Sequence, residues 1–146
     1  MYKHILVAVD GSQQSEQALA KAIQVAEFHK SSLVIAHIID LRNVTGAVGF
    51  HDSWFVRIEN DAKEMLARYK ELAEAKGLTK VETVLKSGNP RFLIAEELPK
   101  TYHIDLLVTA ATGRNRVERL LIGSVAEASV RQAPCDVMIV KNAASE

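Results

Sequence analysis

The chain has 146 residues, and its 18 Lys and Arg are matched by 18 Asp and Glu, leaving no formal net charge and a pI near 7.0. Such a balance argues against a nucleic-acid-binding domain, which carries a basic excess. The single cysteine, Cys135, excludes an internal disulfide. Apolar residues make up 48% and charged residues 25%, the proportions of an ordinary soluble globular protein, so one domain over 1–146 is expected. The apolar run Ile5 to Val9 is too short for a signal peptide, and no stretch has the length of a membrane span. A cytoplasmic protein in a reducing compartment, with neither membrane nor nucleic acid as partner, is the expectation.

Tyr2 to Asp10 holds the continuous apolar core Ile5–Val9, which predicts a strand buried on both faces, as in a parallel sheet. Asp10-Gly11-Ser12 breaks it. Ser12 suits an N-cap, and Glu16 lies in the first turn of a helix predicted from Gln13 to Phe28 or His29. Ala18, Leu19, Ala22, Ile23 and Ala26 mark its apolar face. A second strand, Leu33–Ile39, completes a βαβ unit and ends at Asp40. Leu41 to Ser53, with Gly46 and Gly49, has no period and is expected to form a long loop.

Trp54 to Lys76 is a long amphipathic helix with Phe55, Ile58, Ala62, Met65, Tyr69, Leu72 and Ala73 on its buried stripe and Gly77 as its stop. Val81–Lys86 alternates more than the other strands, as an edge strand would. Ser87 to Pro90 is expected to turn the chain. Asn89 as N-cap and Pro90 as the first helical residue start a short helix from Arg91 to about Leu98, which Pro99 should end.

The stretch Ile104 to Glu127 joins an apolar strand, Ile104–Ala110, to a basic loop, Ala111 to Arg116, centred on Gly113 and flanked by Arg114 and Arg116. A short turn, Val117 to Ile122, leads to Gly123-Ser124 and a helix over about Ser124–Ala133. A strand feeding a glycine-containing basic loop and then a helix start describes an anion site. The first N–H groups of a helix are unpaired, and the helix dipole favours negative charge there. Pro134 ends the helix, Asp136–Lys141 forms a last strand, and Asn142–Glu146 is a polar tail. The alternation β-α-β-α-β-α-β-α-β implies a parallel sheet with helices on both faces, and ligands of such sheets bind at the topological switch point.

The segment Ala110-Ala111-Thr112-Gly113, followed after nine residues by Gly123-Ser124, resembles the nucleotide loop of the universal stress protein family. The family pattern is Gly, two residues, Gly, nine residues, Gly, then Ser or Thr. The opening YKHILVAVDGS, the segment LVIAHIID, the Ser-Gly-Asn-Pro turn at 87–90 and the closing APCDVMIVK are similar as well. Ala110 stands where the pattern has its first glycine. The resemblance implies a Rossmann-like, five-stranded parallel sheet in the order 3-2-1-4-5 (adenine-nucleotide alpha hydrolase-like) with helices on both faces. It implies ATP, or ADP or AMP, as ligand, with magnesium as an accompanying ion.

Carried over by position, Ala8, Val9 and Asp10 would meet ribose, phosphates or metal-bound water, Asp10 reaching a metal only through water. The backbone of Ile38 would meet adenine. Thr109 and Ala110 would lie against base and ribose, and Thr112, Gly113 and Arg114 would belong to the phosphate loop. Gly123, Ser124 and Val125 would supply backbone N–H groups, with the Ser124 hydroxyl, to phosphate oxygens. Glycine lets backbone approach an anion, and successive N–H groups form a concave donor set. The resemblance also implies a homodimer through the last strand, Val137, Met138, Ile139 and Val140, an open pairing edge that a two-fold axis would close.

Each residue has a plainer explanation. Asp10 could cap the first helix, and Gly113 could serve a turn. Ser124 and Glu127 fit the Ser-x-x-Glu capping box. Arg114, Arg116 and Arg119 could form a solvated face. The histidines, His4, His29, His37, His51 and His103, show no ligand spacing. No nucleophile–base constellation or Walker loop is present, so at most slow ATP hydrolysis or autophosphorylation is expected. Two other functions fit the same sheet: a nucleotide-free dimeric interaction module, and a degenerate phosphorelay receiver. The receiver lacks an acidic pair after the first strand and an acceptor Asp after Leu85-Lys86-Ser87.

Overall fold

The apolar runs Ile5–Val7, Leu33–Ala36 and Leu106–Val108 lie on the inner strands of one parallel sheet, where each buries both of its faces. The structure, a computed structural model, describes residues 1–43, 53–112 and 122–141. The expected features at Gly113, Arg114, Arg116 and Arg119, the body of the turn at 117–121 and the tail 142–146 lie outside the described residues.

The strands are β1 (His4–Ala8), β2 (Ser32–Asp40), β3 (Val81–Gly88), β4 (Leu106–Ala110) and β5 (Asp136–Val140). They pair in the order β3-β2-β1-β4-β5, all parallel, as expected. Ile5 of β1 lies between Leu33 of β2 and Leu106 of β4. Helices α1 (Gln13–His29) and α2 (Ser53–Ala75) cover one face over a core of Ile5, Val7, Leu19, Ile35, Leu66 and Val108. The other face packs Leu6, Val34, Leu107 and Ile38 against Ile94 and Leu98. Successive strand residues point to opposite faces, so Leu6 and Val7 serve different cores. Each fully buried Leu contributes roughly 1.5–3 kcal/mol relative to exposure; Leu6 and Leu107 are both wholly inaccessible.

Four expectations change. The helical run after β3 does not stop before Pro99. It passes from α3 (Pro90–Phe92) through a π-helical segment, Leu93–Glu97, into α4 (Leu98–Thr101). The Leu98 N–H reaches the carbonyl of Leu93, five residues back. The widened turn relieves the clash that a proline ring makes with the carbonyl four residues before it. β3 is the edge strand its pattern suggests, but it continues through Ser87 to Gly88, which pairs with Asp40. Gly88 has φ 150°, and a Cβ there would meet Leu93 Cδ1 at 3.0 Å, so glycine is needed at that position. On α2 the buried stripe uses Leu66, while Leu72 is about half exposed. Of the expected loop over 41–53, Leu41–Asn43 forms a 3-10 turn, Ser53 already belongs to α2, and residues 44–52, with Gly46, Gly49 and His51, lie outside the described residues.

Helix ends follow local chemistry. Gly77 closes α2 at φ 103°. α1 ends on Lys30 in the left-handed conformation, φ 59°, with the N–H groups of Lys30 and Ser31 both returning to the Ala26 carbonyl. Between the two helices, the Tyr69 hydroxyl donates to Glu16 at 2.8 Å. Burial and the facing carboxylate push the Tyr69 pKa well up.

Candidate functional site

The C-terminal ends of β1 and β4 lie side by side, their last paired residues being Val7 and Val108. One further step in that register sets Ala8 beside Thr109, and another sets Val9 beside Ala110. On the other flank, the Val9 N–H still donates to the Ala36 carbonyl of β2 at 2.9 Å. The Val9 carbonyl lies 2.8 Å from His37 Nδ1.

After Val9 the chain turns through Gly11 at φ 84°. Asp10 Oδ1 accepts the Ser12 N–H at 2.9 Å, an Asx turn, and the Asp10 N–H donates to Ser15 Oγ at 3.1 Å. The N-cap of α1 is Ser12, whose Oγ accepts the Ser15 N–H at 3.1 Å. Asp10 therefore shapes the turn and does not cap the helix, and its half-buried carboxylate sits at the switch point.

At the end of β4, Thr109 and Ala110 are buried, at 5% and 8% exposure. Ala110 belongs to the α1-side core, and among the described non-glycine residues only Lys30 and His103 have positive φ. The Ala110 methyl is thus accommodated without backbone strain. The Ala111 N–H donates to Val140 at 3.0 Å, and Thr112 is half-buried. The chain re-enters at Gly123, whose N–H donates to the Ala111 carbonyl at 2.6 Å. That bond sets the start of α5 (Ser124–Gln132) against the end of β4.

The capping box expected of Ser124 and Glu127 does not form. Gly123 is the N-cap and Ser124 the first helical residue, so the helix starts one residue earlier than a Ser cap would require. Glu127 pairs with Arg131 at 3.3 Å, one turn on. Among the described residues no side chain caps α5, unlike α1 with Ser12 and α3 with Asn89. The N–H groups of its first turn, Ser124 and Val125 among them, have no partner within the helix. Gly123 has φ −68° and ψ 162°, a conformation open to any residue, so backbone geometry does not demand glycine there.

Of the carried-over positions, Ala8, Val9, Asp10, Thr109, Ala110, Thr112, Gly123, Ser124 and Val125 thus lie at the ends of β1 and β4 and the start of α5. Ile38 lies on β2, two residues past the last β1 pairing. Gly113 and Arg114 fall outside the described residues. The side chains of Val9, Ile38 and Ala110 are in the cores, and the backbone of Val9 is already bonded to Ala36 and His37.

Two features escaped the sequence. One is His37, whose bond to Val9 joins positions 28 residues apart and appears only once strands β1 and β2 are paired. The other is the ion pair at the end of β2, where Arg42 holds Asp40 through its backbone N–H and two guanidinium nitrogens at 2.8–3.0 Å. Arg42 holds the Asp40 carboxyl below its usual range. Beside the crevice, a groove of about 410 Å³ runs between α3 and α5, with Arg91, Phe92, Ser124 and Arg131 on its walls. Among the described residues, no group of three or more His, Cys, Asp and Glu is placed to hold a metal. Cys135 is half-buried, and burial pushes its thiol pKa up, which disfavours the reactive thiolate. No helix among the described residues is long and apolar enough to cross a membrane.

Known proteins share this arrangement. A putative universal stress protein of Staphylococcus haemolyticus is 40% identical over 140 residues, spanning 96% of this chain and 85% of that protein. The solved structure of universal stress protein UspA from Lactobacillus plantarum superposes with a TM-score of 0.82 at 25% identity, covering 95% of this chain and 97% of that one. A universal stress protein solved in complex with cAMP superposes with a TM-score of 0.73 at 26% identity, covering 96% and 97%. The profile of the universal stress protein family matches residues 1–141. On sequence and on fold alike, the chain belongs to the universal stress protein family.

Proposed function

We propose that the chain is a nucleotide-binding member of its family, holding ATP at the crevice between β1 and β4 and acting in stress response by binding rather than by efficient turnover. The observation that carries this reading is the uncapped start of α5, drawn against the end of β4 by the Gly123–Ala111 bond. It offers backbone donors and the Ser124 hydroxyl where a phosphate chain would lie, and a glycine that the backbone does not require leaves room for close approach. Asp10, in the turn after β1, would meet ribose or a magnesium-bound water. Thr112, with Gly113 and Arg114 beyond it in sequence, would complete the phosphate loop. These groups bind and orient; none supplies a nucleophile. Because a structural neighbour binds cAMP, cyclic and linear nucleotides compete as ligands.

A thermal-shift titration with ATP, ADP, AMP and cAMP, with and without magnesium, tests the reading. Ligand at a hundred times Kd stabilises by about 2.7 kcal/mol. The Gly123→Val variant should lose that shift, while the ligand-free protein loses about 1 kcal/mol or less at its helix cap. An unchanged shift would place the nucleotide elsewhere. No shift with any nucleotide at millimolar concentration would leave a nucleotide-free interaction module as the function.

The proposal includes a cytoplasmic homodimer closed through β5. Val137, Met138, Ile139 and Val140 are all only partly buried on this outermost strand. Pairing two such edges about a two-fold axis would satisfy both. Sedimentation at micromolar concentration should give a dimer that Ile139→Pro weakens, and a monomeric wild-type chain would refute it.

A further inference from the structure

We propose that His37 is a positioning residue for the base end of the nucleotide site, holding the last β1 carbonyl so that the Ile38 backbone stays open to the crevice. This rests on the nucleotide reading above.

The Val9 N–H donates to the Ala36 carbonyl at 2.9 Å, so the β1–β2 ladder runs one residue beyond β1 itself. In a regular parallel ladder the Val9 carbonyl would next accept the Ile38 N–H, two residues along β2. Among the described residues that bond is not made, and the carbonyl is held by His37 Nδ1 at 2.8 Å. A carbonyl only accepts, so Nδ1 carries the proton.

Alternate residues of a strand direct their backbone groups to alternate neighbours. Ile38 therefore faces the same side as Ala36, toward β1. There β1 has already turned away, pinned by the Asp10–Ser12 and Asp10–Ser15 bonds. The Ile38 N–H and C=O form an adjacent donor and acceptor on a stretch of β2 without a β1 partner. The Ile38 side chain, 7% exposed, is fixed in the core with Leu93 and Ile94, so this edge is rigid. A purine with an exocyclic amine beside a ring nitrogen presents the matching acceptor and donor. A 6-oxo purine reverses the pattern, so the edge discriminates between them.

The experiment compares wild type, His37→Leu, which removes the donor, and His37→Asn, which returns an N–H near Nδ1. Calorimetry with ATP, GTP and inorganic tripolyphosphate reads affinity, and amide hydrogen exchange reads Ile38. In His37→Leu, ATP affinity should fall about tenfold, the worth of one or two hydrogen bonds. The preference for ATP over GTP should narrow, and tripolyphosphate binding should hold. His37→Asn should restore ATP affinity to within a few-fold. Ile38 should exchange quickly in ligand-free wild type and more slowly in His37→Leu, as its N–H regains the Val9 carbonyl.

ATP affinity unchanged in His37→Leu, equal loss for tripolyphosphate, or failure of His37→Asn to rescue would overturn the role. A wild-type chain that binds no adenine nucleotide would overturn the nucleotide reading, and slow Ile38 exchange in that chain would overturn the open edge independently.

Discussion

The two ends of the sheet are built differently. At the N-terminal ends of the strands, side chains tie neighbouring strands together. The Asp105 carboxylate accepts the N–H groups of Lys3 and His4 at 2.9 and 3.0 Å. Ser31 and Ser32 donate to the carbonyls of Tyr2 and Lys3, and the Tyr2 hydroxyl donates to Asp136 at 2.8 Å. At the C-terminal ends the bonds instead turn backbone away from the sheet: His37 holds Val9, Asp10 holds Ser12, and Ala111 holds Gly123. One end closes the sheet, and the other leaves donors and acceptors facing outward. On the proposed nucleotide reading, the contrast separates stability from binding within a single layer of strands.

That separation can be broken deliberately. The largest effect on stability belongs to the closed end. Asp105→Ala removes the acceptor of two N–H groups and should cost about 1–3 kcal/mol. Nucleotide affinity should not change, and a variant that loses affinity as well would mean the two ends are coupled. Gly123→Val at the open end should show the opposite pattern: most of the affinity lost, with little change in the ligand-free melting temperature.

The smallest effect is at the end of β2. The Asp40 pKa is lowered, chiefly by the hydrogen bond from Arg42. A depressed folded pKa means the pair stabilises above the unfolded carboxyl value, near about 3.9, and fades as pH falls through the folded value. Asp40→Asn should lower the melting temperature by about 1–3 °C at pH 7. Most of that difference should vanish in melts taken at pH values below the lowered folded carboxyl value. A difference that persists in acid would show that Asp40 acts through packing.

The fold was legible where physics leaves one solution. Ile5–Val9, Leu33–Ala36 and Leu106–Val108 are apolar on both faces, as a strand inside a parallel sheet must be. The strand order came from the family resemblance, because periodicity does not say which runs pair. Pro99 misled because proline ends an α-helix, whereas the π turn before it opens the space its ring needs. On α2, apolar Leu66 and Leu72 lie about 120° apart around the helix, and only the packed sheet chooses between them. Gly88 looked like a turn because its φ of 150°, the feature that calls for glycine there, is not visible in the sequence. In the candidate site the loop spacing and the helix start at Ser124 were visible, but the cap was read as Ser124 where Gly123 takes that place. Moving the cap from Ser124 to Gly123 removes the plainer explanation of Ser124. The His37 bond was invisible because a histidine inside an apolar strand has no local pattern.

The bond from Gly123 to Ala111 has a consequence for how this chain can change over time. It fixes both ends of the excursion that carries Thr112, Gly113 and Arg114, independently of what lies between. Closing a loop of twice the length costs only about 0.6 kcal/mol more. Insertions, deletions and substitutions between those two anchors therefore need not disturb the sheet. On the proposed nucleotide reading, ligand preference could therefore change by editing that one segment, with the sheet left as it is.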